Sequence, residues 1–314
     1  MKKKLSAVLL ALAASMPMTA QNLVKGNYGY LYCHMSDKGE WTAYAISRDG
    51  YNYQDINGGN PIFNPEEHAR IEGGTRDAYI TRMHNGKGYI MVTTDMCVRK
   101  SHKWDNYGID LLKSKDLTNW TSVTFDFRKG MQNFCDAATA TSPYKDWSAI
   151  NRVWHLRSFK TFTKLTTPKL LFDWGYATID ADINFLKSNG LYHMLIKKEG
   201  GKRGIFTATS KYLNHGWSAP VDDDFVSFEG NKLTEGSSAF QLIGDDTWRV
   251  AYIQYSDHPK HYRICKADKY LRNFSDPVDI KGVTAPQHGS FMRITKNEYK
   301  MLQKWDKELK NKAK

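Results

Sequence analysis

Three stretches of the sequence set a carboxylate at the head of an apolar strand pattern. They are Gly73-Gly74-Thr75-Arg76-Asp77-Ala78-Tyr79-Ile80, Thr178-Ile179-Asp180-Ala181-Asp182-Ile183 and Thr234-Glu235-Gly236-Ser237-Ser238-Ala239-Phe240. In each, a turn and a second strand pattern follow. Acids placed this way can face one pocket, and carboxyls around one pocket suit general acid–base chemistry, one activating water and another giving a proton. Asp180 and Asp182 lie two residues apart and share a strand face, so either qualifies as the third acid. A ligand pocket also takes an aromatic face and polar forks. Trp104, in the polar loop Arg99–Tyr107, offers the first; Arg76, Lys197 and Glu199 offer the second.

The elements that would position these residues repeat. An alternating strand runs into a polar corner closed by an aromatic at Ser47–Tyr53, Ser114–Trp120, Arg157–Phe162, Ser210–Trp217 and Ala267–Phe274. A Ser or Asp side chain can bond the backbone of such a corner while the aromatic folds back onto the strands. Repeats of some 40–50 residues with about four short strands each predict an all-β chain, a β-propeller. Five copies predict five blades. The interval between Trp120 and Phe162 is short, and Gly130–Thr139 does not read as a clean strand, so the second blade should be short or irregular. A lone strand pattern at Gly289–Thr295 should pair with Tyr28–Met35 and Trp41–Ser47, closing the ring and removing its open edges. The tail 295–314 reads as an amphipathic helix outside the ring.

Bulk properties bound the setting. Met1-Lys2-Lys3-Lys4, an apolar run to Ala14 and a small residue at Ala20 read as an export leader over 1–20. The apolar run is too short to span a bilayer. A periplasmic or secreted domain over 21–314 follows, with no membrane span of its own. The 314-residue chain carries a formal charge of +12, much of it in the Lys-rich tail. No nucleic-acid motif accompanies that charge, and no organic cofactor is signalled. Cys33, Cys97, Cys135 and Cys265 are far apart in apolar patterns and read as buried free thiols.

Around Arg76-Asp77, Thr178–Ile183, Thr234–Phe240 and Gln287-His288-Gly289-Ser290, the chain resembles glycoside hydrolase family 43, and in particular exported members from gut Bacteroidetes. The likeness runs from about Tyr28 to Thr295. It implies a five-bladed propeller acting as a monomer on plant oligo- or polysaccharides by an inverting mechanism. Asp77 would then be the general base, Glu235 the general acid, and Asp180 the residue that orients the acid and raises its pKa. His288 would help hold a calcium ion near the axis. Terminal α-L-arabinofuranosyl units are the first expectation, with β-xylosides and β-galactosides as neighbours. A non-catalytic carbohydrate-binding propeller is the alternative from another class. The chain departs from the family pattern at Ala78, where proline is frequent, and at Gln287, where arginine is frequent.

Overall fold

The computed structural model describes residues 26–312 apart from 84–85, 105, 127–151, 159–161, 167 and 231. The leader, the stretch Gly130–Thr139 and Cys135 therefore lie outside the described residues. In chain order the strands are β1 (Gly29–Ser36), β2 (Trp41–Ser47), β3 (Tyr53–Asp55), β4 (Arg76–Arg82), β5 (Tyr89–Thr94), β6 (Gly108–Ser114) and β7 (Trp120–Asp126). Next come β8 (Trp154–His155), β9 (Lys169–Leu170), β10 (Thr178–Leu186), β11 (Leu191–Lys198), β12 (Gly204–Ser210) and β13 (Phe225–Val226). The last are β14 (Thr234–Gln241), β15 (Trp248–Gln254), β16 (His261–Ala267), β17 (Val278–Asp279) and β18 (Pro286–Ile294), followed by a helix over Lys296–Lys312.

Among the described residues these strands make four antiparallel sheets of four, in the orders β4-β5-β6-β7, β10-β11-β12-β13, β14-β15-β16-β17 and β18-β1-β2-β3, and a two-stranded β8-β9 sheet. The fold is an all-β propeller. The last sheet is the expected closure. β18 pairs antiparallel with β1 from Gly29↔Ile294 to His34↔Gly289, and β1 pairs with β2.

Apolar side chains fill the spaces between neighbouring blades. Leu31, Cys33 and Ile46 meet Ile80, Met91 and Leu112, with Leu302 of the C-terminal helix in the same cluster. Tyr32, Ala45 and Tyr53 meet Phe240, Ile253 and Tyr262. Leu195 and Ile205 meet Val250, Tyr252 and Cys265. Leu171, Phe172 and Val153 cover the far face of β10–β12 against Met194, Ile196 and Phe206. The blades thus follow one another around an axis lined by β4, β18, β14 and β10. Cys33, Cys97 and Cys265 are buried free thiols.

The corners are built as their residues predict. Ser47 Oγ accepts from the N–H groups of Asp49 and Gly50, and Asp49 Oδ1 accepts from those of Tyr51 and Asn52, both at 2.8 Å. Ser114 and Asp116 repeat this with Asp116, Leu117, Thr118 and Asn119. Trp120 then folds back to donate its indole N–H to Leu117 O. The corner before Phe162 lies partly outside the described residues. Burial works to raise the Asp49 pKa, but hydrogen bonds from Asn52, Tyr51 and Ser47 outweigh it and hold the group at about 2. Asp116 is lowered in the same way. A depressed carboxyl adds stability above its ordinary pKa and loses it as pH falls through the folded value. We therefore expect Asp116→Ala to cost about 1 kcal/mol at neutral pH, the order found for side chains that cap backbone N–H groups. Denaturant melts should show that gap narrowing as the pH falls below the ordinary carboxylate pKa, and closing only toward the lowered folded value at which the wild-type carboxyl is itself protonated.

Candidate active site

Each strand around the axis carries one residue more than its partner at the same height. On β4, Arg76 faces Thr94 and Tyr79 faces Val92, so Asp77 and Ala78 oppose a single residue. On β10 the register slips between Ile179 and Asp182, on β14 between Glu235 and Ser238, and on β18 opposite His34 and Ser36. These are β-bulges, which re-aim a side chain out of the ladder. Asp77, Asp180 and Gly236 hold the left-handed conformation that the bulges need, with φ of 52°, 56° and 61°. Asp tolerates this region better than most residues, and glycine adopts it without strain. The three acids are therefore not strictly equivalent. Asp77 and Asp180 sit on the left-handed residue itself, whereas Glu235 precedes it.

The bulges turn Asp77, Asp180 and Glu235 onto one imidazole. His288 Nδ1 lies 3.5 Å from Asp77 and 3.6 Å from Asp180, and Nε2 lies 3.4 Å from Glu235. Asp77 and Glu235 thus face opposite nitrogens of one ring, with the imidazole between them. Neighbouring strands stitch the bulges together. Asp180 Oδ2 accepts from Gly236 N, and Asp182 Oδ2 accepts from Ala239 N at 2.8 Å. Ser290 Oγ accepts from Ile80 N and donates to Ala78 O. Because the bulge breaks the alternation between them, Asp180 and Asp182 do not share a role. Asp182 is buried against β14 and Asn184. Burial lifts its pKa to about 7, with the Ala239 and Asn184 hydrogen bonds pulling the other way.

Charge in the pocket is balanced by two cations. Burial works against charge on His288, but Asp180, Glu235 and Asp77 outweigh it and push the imidazole up to about 9. Burial likewise works to raise Glu235, yet His288 and Lys197 prevail and hold it at about 2. The expected elevation of Glu235 by Asp180 is therefore not what this state shows; the two cations dominate. Asp180 itself is raised, first by burial and then by its acidic neighbours, with His288 opposing. Lys197 lies within β11 rather than beyond it, and is only 4% exposed. Its Nζ pairs with Glu235 and, at 2.9 Å, with Glu199. Its first partner is thus Glu235 rather than open space for a hydroxyl. Arg76 is also buried, donating to Glu40 at 2.7 Å with Nε 3.8 Å from Asp77. Trp104 stands 74% exposed, with the Arg76 guanidinium 5.3 Å from its ring centre.

Asp180, Glu235 and His288 present ligand atoms within 4.8 Å of one another. Calcium takes about six to eight oxygen ligands. Two carboxylates and an imidazole fit such an ion only if water completes its shell, with Asp180 and Glu235 as the oxygen donors. Sequence reasoning missed Glu40, which reads as an exposed turn residue after Gly39 and is instead buried under Arg76. It also missed the bulges, whose one trace in the sequence is the Asp-Ala pair repeated at 77–78 and 180–181.

A family profile described as a probable glycosyl hydrolase domain, related to family 43, matches residues 26–141 and 139–300. The chain belongs to the family 43-related glycosyl hydrolases. An α-L-arabinofuranosidase of Bifidobacterium longum subsp. longum is 24% identical over 353 residues, covering 84% of this chain and 32% of that protein. The hydrolase domain therefore spans about a third of that curated relative. A family 43 glycoside hydrolase from Bacillus licheniformis superposes with a TM-score of 0.52 at 11% identity, covering 84% of this chain and 57% of that one. A family 43 α-L-arabinofuranosidase from Clostridium thermocellum gives 0.49 at 11% identity, over 81% and 91%. The first of these structural likenesses supports the propeller fold. Among the described residues of this hydrolase, no helix is long and apolar enough to cross a membrane.

Two outcomes follow from the site of this glycosyl hydrolase. A Cβ at Gly236 would meet the His288 ring at 2.7 Å and would also have to hold φ of 61°. Gly236→Ala should thus cost about 1–3 kcal/mol, the range for strained backbone, read by thermal melting, and should lower kcat. Removing a cation beside a carboxylate raises its pKa. Lys197→Met should therefore move the basic limb of the pH–kcat/KM profile to higher pH, and an unmoved limb would exclude Lys197 as the group that sets it.

Proposed function

We propose that the protein is an exo-acting, inverting glycoside hydrolase that removes terminal sugars from plant polysaccharides, α-L-arabinofuranosyl units first among them. The observation that carries this reading is the convergence of Asp77, Asp180 and Glu235 on His288 from three separate inner strands. The named activity of the Bifidobacterium relative supports arabinofuranose; β-xylosides and β-galactosides remain its near neighbours.

In this reading Asp77 takes the proton of a water that attacks the anomeric carbon. His288 and Arg76 stand beside it. Glu235 gives a proton to the leaving oxygen from the opposite side. In the resting state Glu235 is ionised, so it must lose part of its cationic company before it can carry that proton. Lys197 has Glu199 as a second partner, and a shift of Nζ onto Glu199 would release Glu235. Asp180 holds the Gly236 N–H and one side of His288, fixing the turn on which Glu235 stands. A bound calcium would add counter-charge to the acids. We read β8 and β9 as part of a short second blade, which makes five blades in all, and residues 1–20 as the export leader of a periplasmic or secreted enzyme.

The ionised resting state of Glu235 favours one other reading, a propeller that binds carbohydrate without cleaving it. A panel of nitrophenyl glycosides separates the two. The hydrolase should turn over the α-L-arabinofuranoside, with the first-formed sugar inverted by NMR. Asp77→Asn should lose at least about 10³-fold in kcat on every substrate, since water attack is always required. Glu235→Gln should lose least where the leaving group needs no proton. Retention at the anomeric carbon would exclude the mechanism, and saturable binding without turnover would establish the binding protein.

A further inference from the structure

We propose that Glu40 is the positioning residue of the sugar-stacking face, locking Trp104 and Arg76 into a platform beside Asp77. Glu40 lies in the β1–β2 turn of the closing blade, far in sequence from both, and is 5% exposed. Every group within hydrogen-bonding reach of its carboxylate is a donor. Oε1 accepts from Arg76 Nη1 at 2.7 Å and from Val98 N at 3.2 Å. Oε2 accepts from Arg99 N at 2.8 Å and from the Cys97 thiol at 3.5 Å. Its backbone carbonyl also accepts from Thr75 N, at the mouth of β4.

One buried carboxylate therefore fixes two things at once. It holds the guanidinium of Arg76, whose Nε faces Asp77, and it holds the start of the short helix Val98–Ser101 that leads to Trp104. The guanidinium then lies 5.3 Å from the centre of the Trp104 ring, within range of a cation–π contact. The indole remains open to solvent, and a flat aromatic face beside the Arg76 guanidinium suits the apolar face of a sugar. A charged acceptor is required here. A glutamine amide would turn its own N–H₂ toward a backbone N–H, leaving a buried donor unsatisfied.

The inference rests on the carbohydrate reading of the site, and the test keeps the two apart. Wild type, Glu40→Gln, Trp104→Ala and the double variant would be compared on a nitrophenyl α-L-arabinofuranoside and an arabino-oligosaccharide. Each single change should raise the KM for the oligosaccharide about tenfold, the size of one aromatic stacking contact. The double variant should be no worse than either single change. Effects that multiply, a loss confined to kcat, or an unchanged KM in Glu40→Gln would each overturn the proposal. Where Glu40→Gln does not fold, Glu40→Asp replaces it. Trp104→Ala, on an exposed ring, must in any case weaken oligosaccharide binding. A wild type that cleaves no glycoside would sink the hydrolase reading alone; the Kd of the same oligosaccharide, from indole fluorescence, would still decide on the platform.

Discussion

The pocket depends on one backbone constraint, the extra residue that each inner strand carries at the same height. A regular strand sends alternate side chains to the two faces of its sheet, and in a propeller both faces press on neighbouring blades. No side chain of an unbroken inner strand would point along the axis. The bulge supplies the missing direction. It also leaves backbone groups without ladder partners, and the neighbouring strands answer with side chains. Ser290 serves the β4 bulge, while Asp180 and Asp182 serve the β14 bulge. Site geometry and ring cohesion are thus the same set of bonds.

A second constraint is electrostatic. Three carboxylates within reach of one imidazole repel one another strongly in a partly buried space. They coexist because His288 and Lys197 are held among them as cations. The balance is uneven: Glu235 touches both, while Asp77 touches His288 and faces Arg76. Glu235 is thereby held low while Asp180 is raised, so that neighbouring carboxyls of one pocket part in proton affinity.

The sequence made the architecture readable because corners and strands are local. Ser47-Arg48-Asp49-Gly50 folds into the turn its side chains predict, and β5 shows the alternation its residues spell. The ends of the chain were legible for the same reason: a strand pattern at Gly289–Thr295 had no other partner. The acids were visible through their resemblance to a known pattern, but their electrostatics were not. That Lys197 would reach Glu235 across a blade boundary depends on which residues two separate bulges bring face to face. Asp182 was inseparable from Asp180 by spacing, since strand periodicity assumes a register that the bulge breaks. Glu40 gave no signal at all. A glutamate after a glycine in a tight turn is ordinarily solvated, and only the third dimension places four donors around it.

The closing blade has a consequence for how the protein comes into being. β18 brings His288 into the pocket and is also the strand that joins the last part of the chain to the first, with Arg82 and Tyr89 gripping Glu298 just beyond it. Contacts of such long sequence separation form late and slowly. Until they form, Asp77, Asp180 and Glu235 have neither their shared cation nor their mutual spacing. A nascent or half-unfolded chain therefore lacks the assembled pocket, which comes into existence in the same event that shuts the ring.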